Sequence, residues 1–275
     1  MADQGLPMLV DTHAHLDFDA FEGDLEPTLQ RAREAGLGAV INIALDPARI
    51  DVVLEMTASY QGLYAAAGIH PHAAERWHDR LPQALEAIGA AASAPGVVAV
   101  GEMGLDLFRN YGPRDIQEKV FRAQLRLARG IGKPIILHNR QADGDILRIL
   151  DEEGVDDLAV IMHCFGSGPE FAAACTERGY YLGFGGVATF PNAQNVQAAA
   201  AGAAAEHLLL ETDCPYLAPQ PYRGQRNEPA YVASVAAAIA SLRGVTESEM
   251  RRVTTENACR VFAIAVTESF GCGCP

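Results

Sequence analysis

The sequence predicts a (β/α)8 barrel, in which eight parallel strands alternate with helices around one core. Eight apolar, β-rich runs recur along the 275 residues, and each is followed by a helical stretch. The runs lack polar alternation, which is typical of strands covered on both faces, and the segments between them are long enough for helical crossovers. Eight such units in about 260 residues favour a closed barrel over an open sheet.

The units follow one another along the chain. In the first half the predicted strands are MLVDTHAH, GAVINIA, LYAAAGIH and VVAVGEMG, followed by helices over 24–36, 47–60, 79–93 and 114–131. In the second half they are KPIILH, LAVIMHC, YYLGFGG and HLLLETD, followed by helices over 142–153, 168–178, 191–203 and 228–242. A last helix near 246–264 begins with the capping sequence TESE and is expected to pack outside the barrel. We expect one domain over 1–265 and a flexible tail over 266–275.

Composition and charge exclude several classes of protein. No apolar run approaches the roughly 20 residues that span a bilayer, and MADQGLP lacks the features of a signal peptide, so we expect a cytoplasmic monomer without membrane contact. Six cysteines without scaffold spacing indicate reduced thiols, and the terminal GCGCP indicates a frayed end more than a metal site. A net charge of −14 disfavours extended binding along a duplex unless the charge is reversed locally.

Polar side chains occur where the predicted strands end, which is where barrel enzymes carry their chemistry. A single histidine on an apolar strand is more often a hydrogen-bonded core residue than a ligand. Several histidines at the same end of one barrel favour metal binding instead. His13 and His15 are two residues apart on a strand, so their side chains face the same side. The candidate metal ligands are His13, His15, Glu102, His138, His163 and Asp213.

Six ligands are more than one ion uses while it keeps a position open for water, so we expect two divalent ions. Glu102, midway along the set, is the expected bridge. One ion would take His13, His15, Glu102 and Asp213, and the other Glu102, His138 and His163. Two ions about 4 Å apart would activate water and hold both oxygens of a phosphoryl displacement. With neutral imidazoles and two carboxylates, this site would carry a net charge of about +2.

Further polar residues follow three strands. His70 and His72 come after the third strand, Asp106 and Arg109 after the fourth, and Arg223 and Arg226 just beyond the eighth. Solvated loop residues, or a turn element for His70 with Pro71, are the simpler interpretation of several of these. Loops after strands seven and eight of a barrel often bind phosphate, which favours a substrate role for the arginine pair.

Eight motifs, in order from about residue 8 to 264, resemble the TatD family of metal-dependent hydrolases within the amidohydrolase-like barrels. They are THAHLD, AAGIHPH, GEMGLD, KPIILHNR, IMHCFGSG, GGVATF, ETDCPYLAP and PYRGQRNEP. The resemblance implies a two-metal deoxyribonuclease that trims DNA from a 3′ end, with the same six ligands. It also implies that His72, Arg223, Asn227 and Glu228 shape the phosphate or base pocket. The usual lysine after RG is Gln225 here, which weakens the expected affinity for DNA, and Cys214 replaces the usual serine.

We expect a 3′–5′ exonuclease on single-stranded or frayed DNA ends, with Asp213 also acting as general base and Glu102 completing the catalytic centre. A hydrolase of a small cyclic amide, lactone or phosphotriester is the nearest alternative, although such enzymes typically bridge their metals through a carboxylated lysine. A non-catalytic metal-binding adaptor is a third. The ligand types admit Zn, Mn, Co or Fe, and a phosphate substrate also admits Mg.

Overall fold

The computed structural model describes residues 5–109 and 111–273, and its central element is one sheet of eight parallel strands in sequential order. Backbone hydrogen bonds close the sheet between β1 and the chain just beyond β8, because Asp213 N donates to His13 O and His15 N donates to Cys214 O, both at 2.9 Å. The predicted (β/α)8 barrel is confirmed. The strands are β1 Leu9–Ala14, β2 Leu37–Ala44, β3 Leu63–Ala67, β4 Val97–Asp106, β5 Ile135–Arg140, β6 Val160–Met162, β7 Tyr181–Phe184 and β8 Leu208–Leu210.

Helices follow every strand, as expected from the sequence. One short helix was not expected: α3 follows β3 ahead of the main crossover helix. The segment predicted as helix from residue 228 begins with a 3-10 turn, Pro229–Tyr231. The helices are α1 Leu25–Glu34, α2 Ile50–Ser59, α3 Ala74–Trp77, α4 Leu81–Ala92, α5 Arg114–Ile131, α6 Asp143–Glu153, α7 Pro169–Glu177, α8 Gln194–Gly202, α9 Val232–Arg243 and α10 Glu247–Phe262.

The last helix, α10, lies across the amino-terminal ends of the strands. Its Val261 and Phe262 pack against the apolar side chains that fill the barrel interior, such as Ile41 of β2. Thr255 Oγ1 donates to Met8 O at 2.8 Å, just before β1. The predicted cap is present at its start, where Thr246 accepts a hydrogen bond from Glu249 N. With this end covered, the carboxyl ends of the strands are left as the open face of the barrel.

The described part of the expected flexible tail is packed against the barrel. Phe270 is fully buried, and Thr267 N donates to Gly38 O at 3.0 Å. Gln61 exchanges backbone hydrogen bonds with Gly271 and Cys272 at 2.9 and 3.0 Å. An apolar anchor and these bonds hold residues 266–273 in place, which the Gly- and Cys-rich composition did not indicate. Cys274 of the C-x-C pair lies outside the described residues.

The structure also bears on two expectations from the sequence: the lack of a membrane-spanning segment and the reduced cysteines. Among the described residues no single helix has the length and apolar character to cross a membrane; the segments Pro229–Arg243 and Glu247–Phe262 meet that test only as a pair, bent by 111°. The described cysteines are unpaired, and the reduced state remains a prediction from the sequence: Cys164, Cys175, Cys214, Cys259 and Cys272.

Candidate metal centre

Three histidine rings form the deepest layer at the open face of the barrel. His13 lies within β1 and His15 just after it, and their rings are 4.9 Å apart at 80°. His163, the first residue after β6, stacks on His13 with 3.4 Å between the ring centroids. All three are buried. The period of two along β1 therefore turns both of its histidines toward the same space, as the sequence predicts.

Glu102 lies between two groups of histidines. It is buried within β4, four residues before the end of the strand, rather than at the strand end. Its Oε2 is 3.2 Å from His13 Nε2, and its Oε1 is 2.6 Å from His138 Nδ1. Oε1 is also 3.9 Å from His163 Nε2. The two oxygens of one carboxylate thus face different imidazoles, which is the arrangement expected of a bridging residue.

Asp213 completes the group around His15. Three residues beyond β8, its backbone is in the left-handed region with φ 58°, a conformation that aspartate tolerates better than most residues. This turn brings Oδ1 to 3.2 Å from His15 Nε2 and 3.7 Å from His163 Nε2. Such a backbone conformation is often retained at functional sites, because it aims a side chain that a regular strand would direct elsewhere.

Buried carboxylates behind the histidines orient the imidazole rings. One of them, Glu211, was not predicted from the sequence. Glu211 Oε1 is 2.9 Å from His163 Nδ1 and accepts a hydrogen bond from Cys164 N at 2.6 Å. On the opposite side, Asp106 Oδ2 lies 3.3 Å from His138 Nε2. Glu211 belongs to the same ETD run as Asp213, so its position just after β8 was the available signal.

Asp11 fixes the junction between β1 and β8. Its carboxylate accepts hydrogen bonds from His13 N, from Thr212 N and from Thr212 Oγ1, at 3.2, 2.9 and 2.6 Å. Burial raises the pKa of Asp11 to about 7, although the hydrogen bonds from Thr212 act in the other direction. Because Thr212 precedes Asp213, these bonds set the positions of ligand candidates on both strands.

His70 is a further member of the site. The sequence predicts a turn element here, and Nδ1 of His70 does accept a hydrogen bond from His72 N at 3.1 Å. Its Nε2, however, lies 3.2 Å from His138 Nδ1 and 3.6 Å from Glu102 Oε1. His70 therefore joins the half of the site that contains His138.

The titrating groups are strongly perturbed, as expected for a buried cluster. Burial, assisted by the charge of His163, lowers the pKa of His13 to about 4, so that ring is neutral near pH 7. Burial also acts to lower the pKa of His163, but Glu211 and Glu102 outweigh it and raise that pKa to about 10. For Asp213, burial raises the pKa, but the neighbouring His15 and His163 outweigh it and the net shift is downward.

The donor set fits metal binding. Both ring nitrogens of His13 are buried and neither makes a hydrogen bond of good geometry, although Nε2 lies 3.2 Å from Glu102 Oε2; an imidazole in that state is costly unless a ligand satisfies it. Imidazole and carboxylate are the donors that Zn, Mn and related ions prefer. Within the described residues, donor atoms lie within 4.8 Å of one another in the groups His13–His15–Asp213, His13–Glu102–His163, His70–Glu102–His138 and His163–Cys164–Asp213.

The four residues expected to contact substrate have different surroundings. His72 is at the mouth, partly exposed, with Nε2 2.8 Å from Asp106 Oδ2. Arg223 is exposed, and its guanidinium lies 3.9 Å from the centre of the Phe190 ring. Asn227 is fully buried, and its amide donates hydrogen bonds to Thr212 O and Tyr216 O at 2.8 and 2.6 Å.

Glu228 is also held by contacts within the protein, and its expected contact with substrate remains a prediction. It is buried and forms ion pairs with Arg31 and Arg226, at 2.8 and 3.4 Å. Arg226 also donates to Ala20 O at 2.8 Å, so the loop after β8 is tied to the segment around α1. The backbone of Arg109 donates to Asp106 Oδ1 at 2.8 Å, while its side chain is exposed.

A parallel barrel with histidines and carboxylates converging at the carboxyl ends of its strands defines a metal-dependent hydrolase. The chain belongs to the TatD family: the family model described as TatD related DNase matches residues 10–263. It is 43% identical over 257 residues to the protein named uncharacterized metal-dependent hydrolase YabD of Bacillus subtilis, covering 94% of this chain and 100% of that one. It is 35% identical over 263 residues to the 3′-5′ ssDNA/RNA exonuclease TatD of Edwardsiella piscicida, with the same coverage.

A solved structure shows the same architecture. The TatD homologue YjjV of Escherichia coli superposes with a TM-score of 0.83 at 34% identity, covering 94% of this chain and 98% of that one. At this identity the likeness extends beyond the fold to the family. The fold, the family and the hydrolase class are therefore established.

Proposed function

We propose that this hydrolase is a two-metal phosphodiesterase that removes nucleotides from the 3′ end of single-stranded or frayed DNA. The observation that carries the proposal is the position of Glu102, whose two carboxylate oxygens lie 3.2 Å from His13 and 2.6 Å from His138. A carboxylate shared in this way suits two ions, and two-metal sites are suited to in-line displacement at phosphorus. The name of the Edwardsiella piscicida relative supports the same substrate class.

The proposed ligands divide into two sets that share Glu102. His13, His15 and Asp213 complete one set, and their donor atoms lie within 4.8 Å of one another. His138 and His163 complete the other, and each faces Glu102 Oε1, at 2.6 and 3.9 Å. Divalent ions bound there would supply Lewis acidity toward the phosphate and an activated water. Zn, Mn and Mg are the candidates, because the set contains both imidazole and carboxylate donors.

The side chains have separate proposed roles. Asp213 is ionised in this environment, since its two histidine neighbours lower its pKa despite burial, and it can accept a proton from the attacking water. Arg223 is placed to pair with a phosphate, because its guanidinium is exposed and held against the Phe190 ring. His72 has a ring nitrogen 2.8 Å from Asp106, which fixes its orientation at the mouth.

The test compares metal-depleted and metal-restored protein on single-stranded oligonucleotides labelled at either end. After Mn, Mg or Zn is restored, a 3′–5′ exonuclease shortens the 5′-labelled strand progressively and releases the 3′ label as a mononucleotide. We expect Glu102→Gln to lower this activity by about 100-fold or more. Glu86→Gln, an exposed glutamate on α4, is the matched control.

Three results would overturn the proposal. Full activity after complete metal removal would exclude the metal mechanism, and early release of a 5′ label would exclude the polarity. Turnover confined to a parallel panel of lactones, cyclic amides and phosphotriesters would instead establish the small-substrate alternative. Thermal unfolding of Glu102→Gln separates loss of chemistry from loss of fold.

A further inference from the structure

The exposed aromatic side chains of the described residues are concentrated at the mouth of the barrel. Phe108, Tyr111 and Tyr216 are 52%, 59% and 53% exposed, and all three lie in loops at the carboxyl ends of strands. Phe108 and Tyr111 follow β4, and Tyr216 follows β8. Single exposed rings are common on protein surfaces, but the grouping of these three around one site indicates a binding surface.

Tyr111 is connected to one side of the metal centre. Its ring packs edge-on against His72, with 4.7 Å between centroids and an angle of 83°. His72 is in turn held by Asp106, which also contacts His138. A base that stacked on Tyr111 would therefore lie beside the His138 half of the centre.

Tyr216 is connected to the opposite side. Its ring packs edge-on against Phe18 at 6.1 Å, and Phe18 stacks on His15 at 5.1 Å and 17°. The backbone of Tyr216 is fixed as well, because the buried Asn227 donates to its carbonyl at 2.6 Å. Asn227 therefore helps to hold the loop that carries Tyr216.

Two exposed arginines at this end of the barrel also lie over aromatic rings. The guanidinium of Arg140, at the end of β5, lies 4.3 Å from the centre of the Phe108 ring. The guanidinium of Arg223 lies 3.9 Å from the centre of Phe190. Cations held over aromatic faces beside further exposed rings are the combination with which proteins bind single strands, the rings taking bases and the arginines phosphates.

We propose that Tyr111 and Tyr216 are stacking platforms for two bases of a single strand, one on each side of the phosphodiester that is cut. The inference rests on the proposed nuclease function and names the residues that would recognise its single-stranded substrate. Bases within a duplex are already stacked on one another and present no free face to a side chain. The platforms thus select unpaired ends, and they provide affinity that the charge of this acidic protein does not.

The test measures kcat/KM on oligothymidylate and on an oligomer of the same length built from abasic tetrahydrofuran units. Tyr111→Ala and Tyr216→Ala are each expected to lower kcat/KM on oligothymidylate by about 5- to 100-fold. The loss is confined to the substrate that carries bases, and Tyr111→Phe and Tyr216→Phe restore most of it because they keep the ring. Leu242→Ala, at an exposed apolar residue on α9, is the control.

Oligothymidylate binding by metal-depleted protein, followed by fluorescence anisotropy, separates this inference from the proposed function. Weaker binding of the alanine variants supports stacking even if no metal restores cleavage, an outcome that would count against the nuclease alone. Cleavage by all variants at the wild-type rate would overturn the stacking inference and leave the nuclease intact. Equal losses on both substrates would also overturn it, because they would indicate a structural role.

Discussion

Individual carboxylates behind the histidines decide which nitrogen of each imidazole faces the metal centre. Glu211 lies at Nδ1 of His163, so Nε2 of that ring is directed toward Glu102 and Asp213. Asp106 lies at Nε2 of His138, so there Nδ1 is the inward nitrogen. A carboxylate behind a ligating histidine fixes its tautomer and strengthens it as a donor.

Replacing Glu211 by glutamine should weaken metal binding without disrupting the fold. Glutamine keeps the volume and the acceptor for Cys164 N but removes the negative charge behind His163. We expect metal affinity to fall by about 10- to 100-fold, while thermal stability changes little. Metal titration of depleted protein, read by bound metal content, measures the effect.

Two further variants sharpen that measurement. A Cβ on Gly183 would lie 2.3 Å from Glu211 Oε2, so Gly183→Ala should displace the same carboxylate and weaken metal binding in the same direction. Glu206→Gln, an exposed glutamate before β8, is the control. If Glu211→Gln bound metal as tightly as the wild type, the positioning role would be wrong.

Among the secondary-structure elements, β4 does the most to organise the site. It carries both Glu102 and Asp106, and its Gly104 adopts φ 142° where a Cβ would come within 2.0 Å of His138 O. Glycine at this position lets β4 run close enough to β5 for Glu102 and Asp106 to contact the same ring. The GEMGLD motif therefore supplies both the carboxylates of the site and the glycine that lets β4 approach β5 closely.

The sequence was sufficient to predict elements and strand-end residues, but not side-chain partners. Apolar runs and capping signals predicted the barrel, and α5 begins and ends at the predicted residues, 114 and 131. Because the carboxyl ends of parallel strands meet at one face of a barrel, the sequence predicted that His13, His15 and Asp213 lie close together. The sequence could not show that Glu211 lies behind His163 while Asp213 faces the site, or that Asn227 is buried. These positions depend on the left-handed turn at Asp213 and on loop packing. Local pattern does not encode such contacts.

The carboxyl-terminal segment should contribute to stability rather than to catalysis. Phe270 is fully buried beside α1, and the segment lies on the side of the barrel away from the metal centre. Phe270→Ala is expected to lower the free energy of unfolding by about 3–5 kcal/mol, through lost burial and a residual cavity. Denaturant unfolding measures this, with the exposed Glu268→Ala as the matched control. A change below about 1 kcal/mol would indicate a loosely held tail.

At the scale of the whole molecule, charge limits how the proposed nucleic-acid substrate could bind. The chain carries −14, and the centre is less positive than the sequence analysis supposed. Asp106 and Glu211 contact the proposed ligands and add two negative charges to the site. With the two proposed dications bound, four carboxylates and neutral imidazoles would leave a net charge of about zero. Apart from direct contact with the ions, attraction for phosphates would then depend on cations at the mouth, among which Arg140 and Arg223 are exposed.

A small number of phosphate contacts predicts a weak dependence of binding on salt. Each phosphate neutralised on a single strand contributes about −0.7 to the slope of log K against log salt, so two arginines give a slope near −1.4. Between 50 and 200 mM salt, the affinity of metal-depleted protein for oligothymidylate should fall about sevenfold. Arg140→Ala and Arg223→Ala should each make the slope shallower by about 0.7, whereas Arg252→Ala on α10, at the opposite end of the barrel, should not. A slope steeper than about −3 would mean that the strand follows a longer cationic path than these two residues provide.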